Sequence, residues 1–271
     1  MVPTLDRDTT LCISLAARPS QHGVRFHNWL YSRLGLNYAY HAIAPEDIVA
    51  AVAGIRGLGI RGAGISMPYK QQVIPLLDAL DDSAHRLTSV NTIVNDDGHL
   101  IGYNTDYLAV ASLVRESGID PAQPVALRGS GGMASAVATA LADLGFRGTI
   151  VARNHHTGTR LATRLGWDHA TEVPTGASFL VNVTPLGMSG PDEEIQAFND
   201  AELARAQAVC DAVAMPVDTP LIRRARALGL PLIHGGDIIA LQAAEQFTLY
   251  TGVTPTPAQV REAEQYAQES R

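Results

Sequence analysis

A glycine-rich turn in the second half of the chain has the pattern of a pyrophosphate-binding site. The segment GSGGMA places Gly129, Gly131 and Ala134 as G-x-G-x-x-A, with Gly132 in addition. It follows a predicted strand and opens a predicted helix, where backbone N–H groups and the helix N-terminus can hold phosphate oxygens. A tight turn without any ligand is the alternative. The complete strand–turn–helix–strand context favours a bound dinucleotide.

The residues after the next predicted strand, TIVA, indicate which dinucleotide this is. An NAD site usually carries Asp or Glu here, where the carboxylate holds the ribose 2′-hydroxyl. This sequence has Arg153 and Asn154 instead, and Arg160 follows one or two helical turns later. A guanidinium can hold a 2′-phosphate that a carboxylate would repel. We therefore predict NADP, and merely solvated arginines are the alternative.

Two residues of the first half can transfer a proton. Lys70 follows Pro68 at a predicted helix start, where the helix dipole disfavours a cation, and the chain has few lysines. Asp106 ends a predicted strand, at or near the N-cap of the next helix. A Lys–Asp pair can exchange a proton with an alcohol while hydride leaves for a nicotinamide. A surface lysine and a simple helix cap are the alternatives, and spacing alone does not show that the two residues meet.

The elements that must position these residues alternate between strand and helix. Residues 89–107, SVNTIVNDDGHLIGYNTDY, predict a hairpin that turns at Asn95 to Gly98 and carries Asn91, Asn104 and Thr105 at its ends. Further strands are predicted at LCISL, YAYHAI and RGAGISM, and helices at VRFHNWLYSRLG, at PEDIVAAVAGIRGLG beginning with Pro45, and at YKQQVIPLLDAL. Pro75 is expected to kink or interrupt the last of these helices. After the turn-rich IDPAQP, the runs VALR, TIVA, FLVNVTP, AVCDAVAM and LPLIH predict strands separated by helices. This order predicts an α/β fold with parallel sheets.

Composition excludes several classes of function. The 271 residues carry a formal charge of −7, which argues against nucleic-acid binding. No apolar run is long enough to span a membrane, and the N-terminus does not resemble a signal peptide. Cys12 and Cys210 lie in predicted buried strands, so we expect a reduced, cytoplasmic protein. We expect no metal site, because the adjacent His155 and His156 cannot face one ligand point.

The motifs together resemble the shikimate dehydrogenase family. ISMPYK, SVNT, GYNTD, GSGGMA, VNVTPLGM, MPVDTPLIRRARALG and LQAAEQF occur in the family's order and spacing, from about residue 11 to residue 253. The resemblance implies a discontinuous α/β substrate domain, residues 1–105 and 237–271, and a Rossmann-like NADP domain with a parallel sheet, residues 106–236. It also implies reversible NADP-linked oxidation of shikimate to 3-dehydroshikimate.

The resemblance also assigns roles to individual residues. Lys70 matches the catalytic lysine and Asp106 its partner. The substrate-binding positions it implies are Ser66, Asn91, Thr105 and Gln242. The cofactor-binding positions are Gly129, Ser130, Gly131, Gly132, Met133, Ala134, Arg153, Asn154, Arg160, Thr184 and Met188, and Asn182 falls in the same segment as the last two.

One family element is missing, which leaves the substrate open. The Ser-x-Ser-Pro element that holds the substrate carboxylate is replaced by SLAARPSQHG, where Arg18 and Ser20 are the expected substitutes and Ser14 and His22 are also available. Ala214 stands where the family usually has Tyr. This combination resembles the shikimate dehydrogenase-like subfamily. The predicted substrate is shikimate or a related cyclic hydroxy acid, and the predicted assembly a monomer or homodimer. The alternatives are an NAD-linked quinate/shikimate dehydrogenase and a low-turnover ligand sensor.

Overall fold

The computed structural model describes residues 5–269. The strands of this part are β1 (Thr10–Leu15), β2 (Tyr38–Ile43), β3 (Gly62–Ile65), β4 (Ala79–Leu80), β5 (Thr92–Asp96), β6 (His99–Tyr103), β7 (Val125–Arg128), β8 (Gly148–Val151), β9 (Asp168–Ala170), β10 (Phe179–Asn182), β11 (Ala208–Asp211) and β12 (Leu232–His234). The helices are α1 (Gln21–Leu34), α2 (Ile48–Gly57), α3 (Asp82–His85), α4 (Thr105–Ser117), α5 (Gly132–Asp143), α6 (His155–Leu165), α7 (Asp200–Leu203), α8 (Pro220–Ala227), α9 (Gly235–Thr251) and α10 (Pro257–Gln268). The predicted α/β class is confirmed.

The chain divides into two compact units. The first contains the described residues up to Thr105 and those from Ala240 onward, and the second is Asp106–Ile239. The chain passes from one unit to the other near the start of α4 and within α9. Within residues 5–269, no helix combines the length and apolar character needed to cross a bilayer.

The first unit is a mixed sheet in the order β2-β1-β3-β5-β6-β4. Strands β1, β2 and β3 run parallel, and β5 is antiparallel to both β3 and β6. On one face Cys12 and Tyr40 pack with Phe26 of α1 and Phe247 of α9 in a buried cluster. On the other face Ile13 packs with residues of α2. Both faces are covered, so the alternating side chains of β1 are buried in both directions.

The predicted hairpin is confirmed as β5 and β6. Asp96 pairs with His99, and Asp97 and Gly98 between them have positive φ angles of 48° and 88°. Two consecutive residues with positive φ form a two-residue turn whose twist matches that of the flanking strands. Asp-Gly is a preferred sequence for this turn.

Two helix predictions need correction. Residues 69–80 are not an α-helix but a series of turns that leads into a short 3₁₀ helix, Ile74–Leu76. Pro75 has no N–H to donate, which prevents the regular bonding of a longer helix. Helix α2 begins at Ile48 rather than at Pro45, because the Asp47 carboxylate accepts the N–H groups of Val49 at 2.8 Å and Ala50 at 3.2 Å.

The second unit is a fully parallel sheet in the order β9-β8-β7-β10-β11-β12. Numbered within the unit, this is the order 3-2-1-4-5-6 of a Rossmann fold, so the predicted fold of this part is confirmed. The register brings Arg128, Asn182 and Asp211 side by side at the carboxyl ends of β7, β10 and β11. Ligands of such sheets bind at this edge.

A close approach in the first unit requires glycine in β3. A Cβ atom on Gly62 would overlap the ring of Tyr250, and one on Gly64 would come within 2.7 Å of the Tyr40 hydroxyl oxygen. Tyr250 is fully buried, so its ring cannot move aside. The two glycines therefore let large aromatic side chains lie directly against the sheet.

We expect Gly62→Ala to destabilise the protein by about 2 kcal/mol or more, because the added methyl group overpacks a rigid core. The matched control is Gly54→Ala in α2, where the new Cβ meets only Leu58 at an ordinary 4.0 Å. Alanine should be neutral there or stabilise the helix by up to about 1 kcal/mol. Urea denaturation of both variants measures the difference. Equal midpoints would show that the core yields to the extra methyl.

The aromatic layer above these glycines contains a buried histidine. His27 of α1 stacks on Tyr40, with ring centroids 4.3 Å apart and planes 12° apart. Burial lowers the pKa of His27 from 6.5 to about 3, because the charged imidazolium would lose its hydration. His27 is therefore neutral near pH 7 and contributes as an aromatic ring.

This histidine makes stability depend on pH. Its lowered pKa means that the unfolded chain binds the proton more readily, so stability is lost as pH falls from 6.5 towards about 3. At pH 5 the loss from this group should be about 2 kcal/mol relative to pH 7. We expect His27→Phe to reduce the difference between urea unfolding free energies at pH 7 and pH 5, and His41→Gln, on an exposed residue, to leave it unchanged. An unchanged pH dependence in His27→Phe would contradict the assignment.

Candidate functional site

In the first unit, a buried amide oxygen collects three hydrogen bonds. Asn91 Oδ1, just before β5, accepts from the Thr105 backbone N–H at 2.8 Å, the Thr92 hydroxyl at 2.9 Å and the Thr105 hydroxyl at 3.1 Å. All three residues are buried. Because the oxygen end of the Asn91 amide faces these donors, its NH₂ end faces away from them.

Two glutamines of α9 extend this network. Gln242 Nε2 donates to the Thr105 hydroxyl at 3.1 Å, and Gln246 Nε2 donates to the Thr92 hydroxyl at 2.9 Å and to the Asn91 carbonyl at 3.2 Å. The structure thus brings together Asn91, Thr105 and Gln242, three of the predicted substrate residues. The sequence analysis missed Thr92 and Gln246. Two features of the sequence pointed to them. Thr92 directly follows Asn91, and Gln246 lies four residues after Gln242 in LQAAEQF, which puts both glutamines on one helix face.

Ser66 and Lys70 are joined to the same region through the backbone. Ser66 is exposed directly after β3, and Ile65 before it donates its N–H to the Asn91 carbonyl at 2.7 Å. The Lys70 carbonyl accepts the Val90 N–H at 2.8 Å, one residue before Asn91. Lys70 is half-buried and lies in a turn, not at a helix start, so the expected clash with a helix dipole does not arise.

Lys70 is also the only lysine in the sequence, among nineteen arginines. Arginine remains protonated in proteins, whereas lysine can release its proton. Asp106 is the second residue of α4, inside the first turn rather than at the N-cap, and follows Thr105 directly in the chain.

The residues expected to replace the missing serine pair lie near the start of α1. Arg18 and Ser20 are exposed, and Ser20 is the N-cap residue of α1 although its side chain forms no capping hydrogen bond. His22 is committed elsewhere, since its Nε2 lies 2.9 Å from Glu264 Oε2 of α10. Ser14 is half-buried within β1, where it pairs with Gly64. Arg18 and Ser20 are therefore the accessible pair.

In the second unit, the glycine turn connects β7 to α5. Gly129 has φ 128° and a Cβ there would come within 2.9 Å of Val183, so glycine is required. Cβ atoms on Gly131 or Gly132 would meet nothing within 4 Å, which leaves open space in front of the first N–H groups of the helix. Such a turn fits a pyrophosphate.

The other residues of this turn have defined places. Ser130 lies with its hydroxyl 2.7 Å from that of Thr157, which ties the turn to α6. Met133 packs against the core and Ala134 is buried, so their side chains belong to the interior, and their backbone N–H groups lie in the first turn of α5.

The predicted 2′-phosphate residues follow β8. Arg153 and Arg160 are exposed, whereas Asn154 caps α6 by accepting the Thr157 N–H at 3.1 Å. Arg164, which the sequence analysis did not single out, hydrogen-bonds Ser135 of α5 at 2.7 Å. The exposed Arg153 thus lies directly before the N-cap of α6, and the exposed Arg160 is the sixth residue of that helix.

A buried carboxylate organises the loops after β10 and β11. Asp211 accepts hydrogen bonds from Asn182 at 2.9 Å and from the Thr219 hydroxyl at 2.7 Å, and burial raises its pKa. Asn182 Oδ1 in turn accepts the Thr184 hydroxyl at 2.6 Å, whereas Met188 further along is exposed. Sequence analysis missed Asp211, which read as part of a buried strand.

Comparison with known proteins identifies the family. The family model described as the shikimate dehydrogenase substrate binding domain matches residues 19–93. A shikimate dehydrogenase-like protein of Haemophilus influenzae is 46% identical over 97% of this chain and 98% of its own length. A shikimate dehydrogenase (NADP(+)) of Rubrobacter xylanophilus is 38% identical, over 97% of this chain and 98% of its own length.

Solved structures agree with this. A shikimate 5-dehydrogenase-like protein matches with a TM-score of 0.96 at 45% identity, covering 97% of this chain and 99% of that one. The shikimate 5-dehydrogenase of Thermus thermophilus, in complex with NADP(H) and shikimate, matches with a TM-score of 0.84 at 28% identity, covering 96% and 100%. Sequence identities of 46% and 38% over nearly the full length of both chains show that this chain belongs to the shikimate dehydrogenase family of oxidoreductases.

Proposed function

We propose that the protein is an NADP-dependent dehydrogenase that reversibly oxidises shikimate, or a closely related cyclic hydroxy acid, to the corresponding ketone. The observation that carries this proposal is the Asn91 network, which ends at Thr105, directly before Asp106. The relatives named as NADP(+)-dependent shikimate dehydrogenases, and the Thermus thermophilus structure with NADP(H) and shikimate, support the same reaction.

The substrate hydroxyls are proposed to bind at the network. The NH₂ group of Asn91 points away from its three internal donors and can donate to a substrate oxygen. Gln242 uses its Nε2 for Thr105 and keeps its amide oxygen as an acceptor. Neighbouring donor and acceptor groups suit adjacent hydroxyls, each of which donates and accepts. Ser66 and Thr105 complete this set.

The substrate carboxylate is proposed to bind at Arg18 and Ser20. Helix α1 has no acidic residue in its first turn, and its N-terminus carries the positive end of the helix dipole. The Ser20 hydroxyl is not used as a cap, and Arg18 adds a charged donor two residues earlier. A guanidinium and a helix start differ from the two hydroxyls of ordinary family members, which gives a physical reason to expect a different preference among acids.

Lys70 and Asp106 are proposed to transfer the proton. When the substrate is oxidised, its C–H bond breaks as hydride leaves, its O–H proton passes to Lys70 Nζ, and the C–O bond becomes a carbonyl. Asp106 then balances the charge that appears on Lys70. In the reverse direction Lys70 returns the proton to the carbonyl oxygen.

The second unit is proposed to bind NADP. The dinucleotide, when bound, accepts the hydride at its nicotinamide. The turn from Gly129 to Gly132 would hold the pyrophosphate, and Arg153 and Arg160 the 2′-phosphate, with Asn154 supporting the start of α6. Thr184 and Met188 would lie along the nicotinamide side. We therefore assign the substrate role to the first unit and the cofactor role to the second.

We expect both Lys70→Ala and Lys70→Arg to lower kcat for shikimate oxidation by about 10²- to 10⁴-fold, because neither side chain can exchange the proton. Initial rates from the absorbance of reduced nicotinamide, with shikimate and quinate against NADP and NAD, give the measurement. Arg33→Lys, at the far end of α1, is the control. Turnover that is indifferent to Lys70 would refute the mechanism. Faster turnover with quinate and NAD would favour that alternative, and saturable binding without turnover would favour the ligand sensor.

We expect Arg153→Ala and Arg160→Ala each to raise the KM for NADP about tenfold or more while leaving the KM for NAD almost unchanged, since only NADP carries the 2′-phosphate. Arg115→Ala, on an exposed arginine of α4, serves as the control for loss of one positive charge. Steady-state kinetics with both cofactors measure the ratio of the two KM values. A parallel change in both would mean that the arginines do not read the 2′-phosphate.

A further inference from the structure

We propose that Gln246 is a positioning residue that, through the hydroxyl of Thr92, holds the amide of Asn91 with its NH₂ end towards the substrate. This inference rests on the proposed function and extends it to a residue that does not itself touch the substrate. Gln246 acts in parallel with Gln242, which reaches the same Asn91 oxygen through Thr105.

The direction of each hydrogen bond follows from the donors available. Gln246 Nε2 can only donate, so the Thr92 hydroxyl oxygen accepts from it at 2.9 Å. The hydroxyl hydrogen of Thr92 then points to Asn91 Oδ1 at 2.9 Å, which is the nearer of two acceptors because the Thr105 hydroxyl oxygen lies at 3.3 Å. On the other side Thr105 accepts from Gln242 and donates to the same oxygen. Two chains, each of glutamine and threonine, thus converge on one acceptor.

A backbone group fixes which end of the Asn91 amide is the oxygen. The Thr105 N–H, 2.8 Å away, can only donate and cannot be reversed. If the Asn91 amide turned over, its NH₂ group would face this N–H and two hydroxyls that already accept from the glutamines. That arrangement would leave several buried donors without acceptors, which is costly.

Burial makes the arrangement strict. Thr92 and Thr105 are fully buried, and Gln246 is 7% exposed, so water cannot easily replace a lost partner. Gln246 also donates to the Asn91 carbonyl at 3.2 Å, which holds the backbone of Asn91 as well as its side chain. Position and orientation of Asn91 therefore depend on the same glutamine.

The Gln246 amide also lies close to the neighbouring strand. Gly64 of β3 pairs with Thr92 of β5, and a Cβ on Gly64 would lie 3.5 Å from Gln246 Nε2 and 2.7 Å from the Tyr40 hydroxyl. A Cβ here would crowd the Tyr40 hydroxyl, whereas its contact with Gln246 would be an ordinary one. The Gln246 amide thus lies within direct contact distance of β3 as well as β5.

The test compares Thr92→Val, Thr92→Ser and Gln246→Met. Valine keeps the shape of threonine without the hydroxyl, serine keeps the hydroxyl without the methyl, and methionine keeps the length of glutamine without its donor. We expect Thr92→Val and Gln246→Met to raise the KM for shikimate about tenfold, with kcat and the KM for NADP within about twofold of the parent. Thr92→Ser should restore the parent KM. The control is Thr248→Val on α9, whose hydroxyl bonds only a carbonyl of its own helix.

A double variant tests whether Gln246 acts through Thr92. If Gln246 acts on the Asn91 side chain through Thr92, Thr92→Val combined with Gln246→Met should raise the KM by clearly less than the product of the two single effects. Single effects that multiply in the double variant would overturn the inference, because the two residues would then act independently. A Thr92→Ser variant as impaired as Thr92→Val would also overturn it, because packing rather than the hydroxyl would then matter.

A measurement without turnover separates this inference from the proposed function. The ¹⁵N side-chain amide signals of Asn91 report its hydrogen bonds whether or not shikimate is the substrate. We expect them to shift in Thr92→Val and Gln246→Met but not in Thr92→Ser or Thr248→Val. If the parent protein turns over no hydroxy acid but the two variants show these shifts, the proposed function is refuted and the positioning role is retained. Unchanged Asn91 signals would refute the positioning role alone.

Discussion

The first unit depends on one buried oxygen atom, Asn91 Oδ1. Its three hydrogen bonds join the start of β5 to the start of α4, and the glutamines of α9 join the same point from more than a hundred residues further along the chain. A buried carbonyl oxygen stabilises such a junction only when its donors are all present, since each unpaired group would cost free energy. The need to keep these donors paired fixes the orientation of the Asn91 amide, so its NH₂ group points outward, as the proposed substrate site requires.

The second unit uses the same physical device with a carboxylate. Asp211 accepts from Asn182, from the Thr219 hydroxyl and from the Val213 N–H, so the ends of β10 and β11 and the N-cap residue of α8 are held at one point. The loop after β10 lies against the glycine turn, where Val183 leaves no space for a side chain on Gly129. The open turn for a pyrophosphate is thus positioned by buried polar contacts on one side and by the absence of a side chain on the other.

The proposed chemistry needs one group that is free to change its protonation, placed among groups that are not. Lys70, the single lysine of the sequence, is proposed to supply that group, whereas arginine remains protonated in proteins and Arg153 and Arg160 are the proposed phosphate ligands. His27 is kept neutral near pH 7 because burial lowers its pKa.

The sequence by itself determined the features that depend on neighbouring residues. The alternation of strands and helices, the Asp97-Gly98 hairpin and the glycine turn before α5 could be predicted because backbone conformation there follows from local residue types. The predicted helix over residues 69–80 was wrong because the chain forms turns before Pro75, and Pro75 itself has no N–H to donate to a regular helix. Only the tertiary structure decided that Gln246 bonds Thr92, that Gln242 bonds Thr105 and that Asp211 accepts from Asn182. These partners are distant in sequence or share residue types with ordinary surface and strand positions, so packing alone selects them.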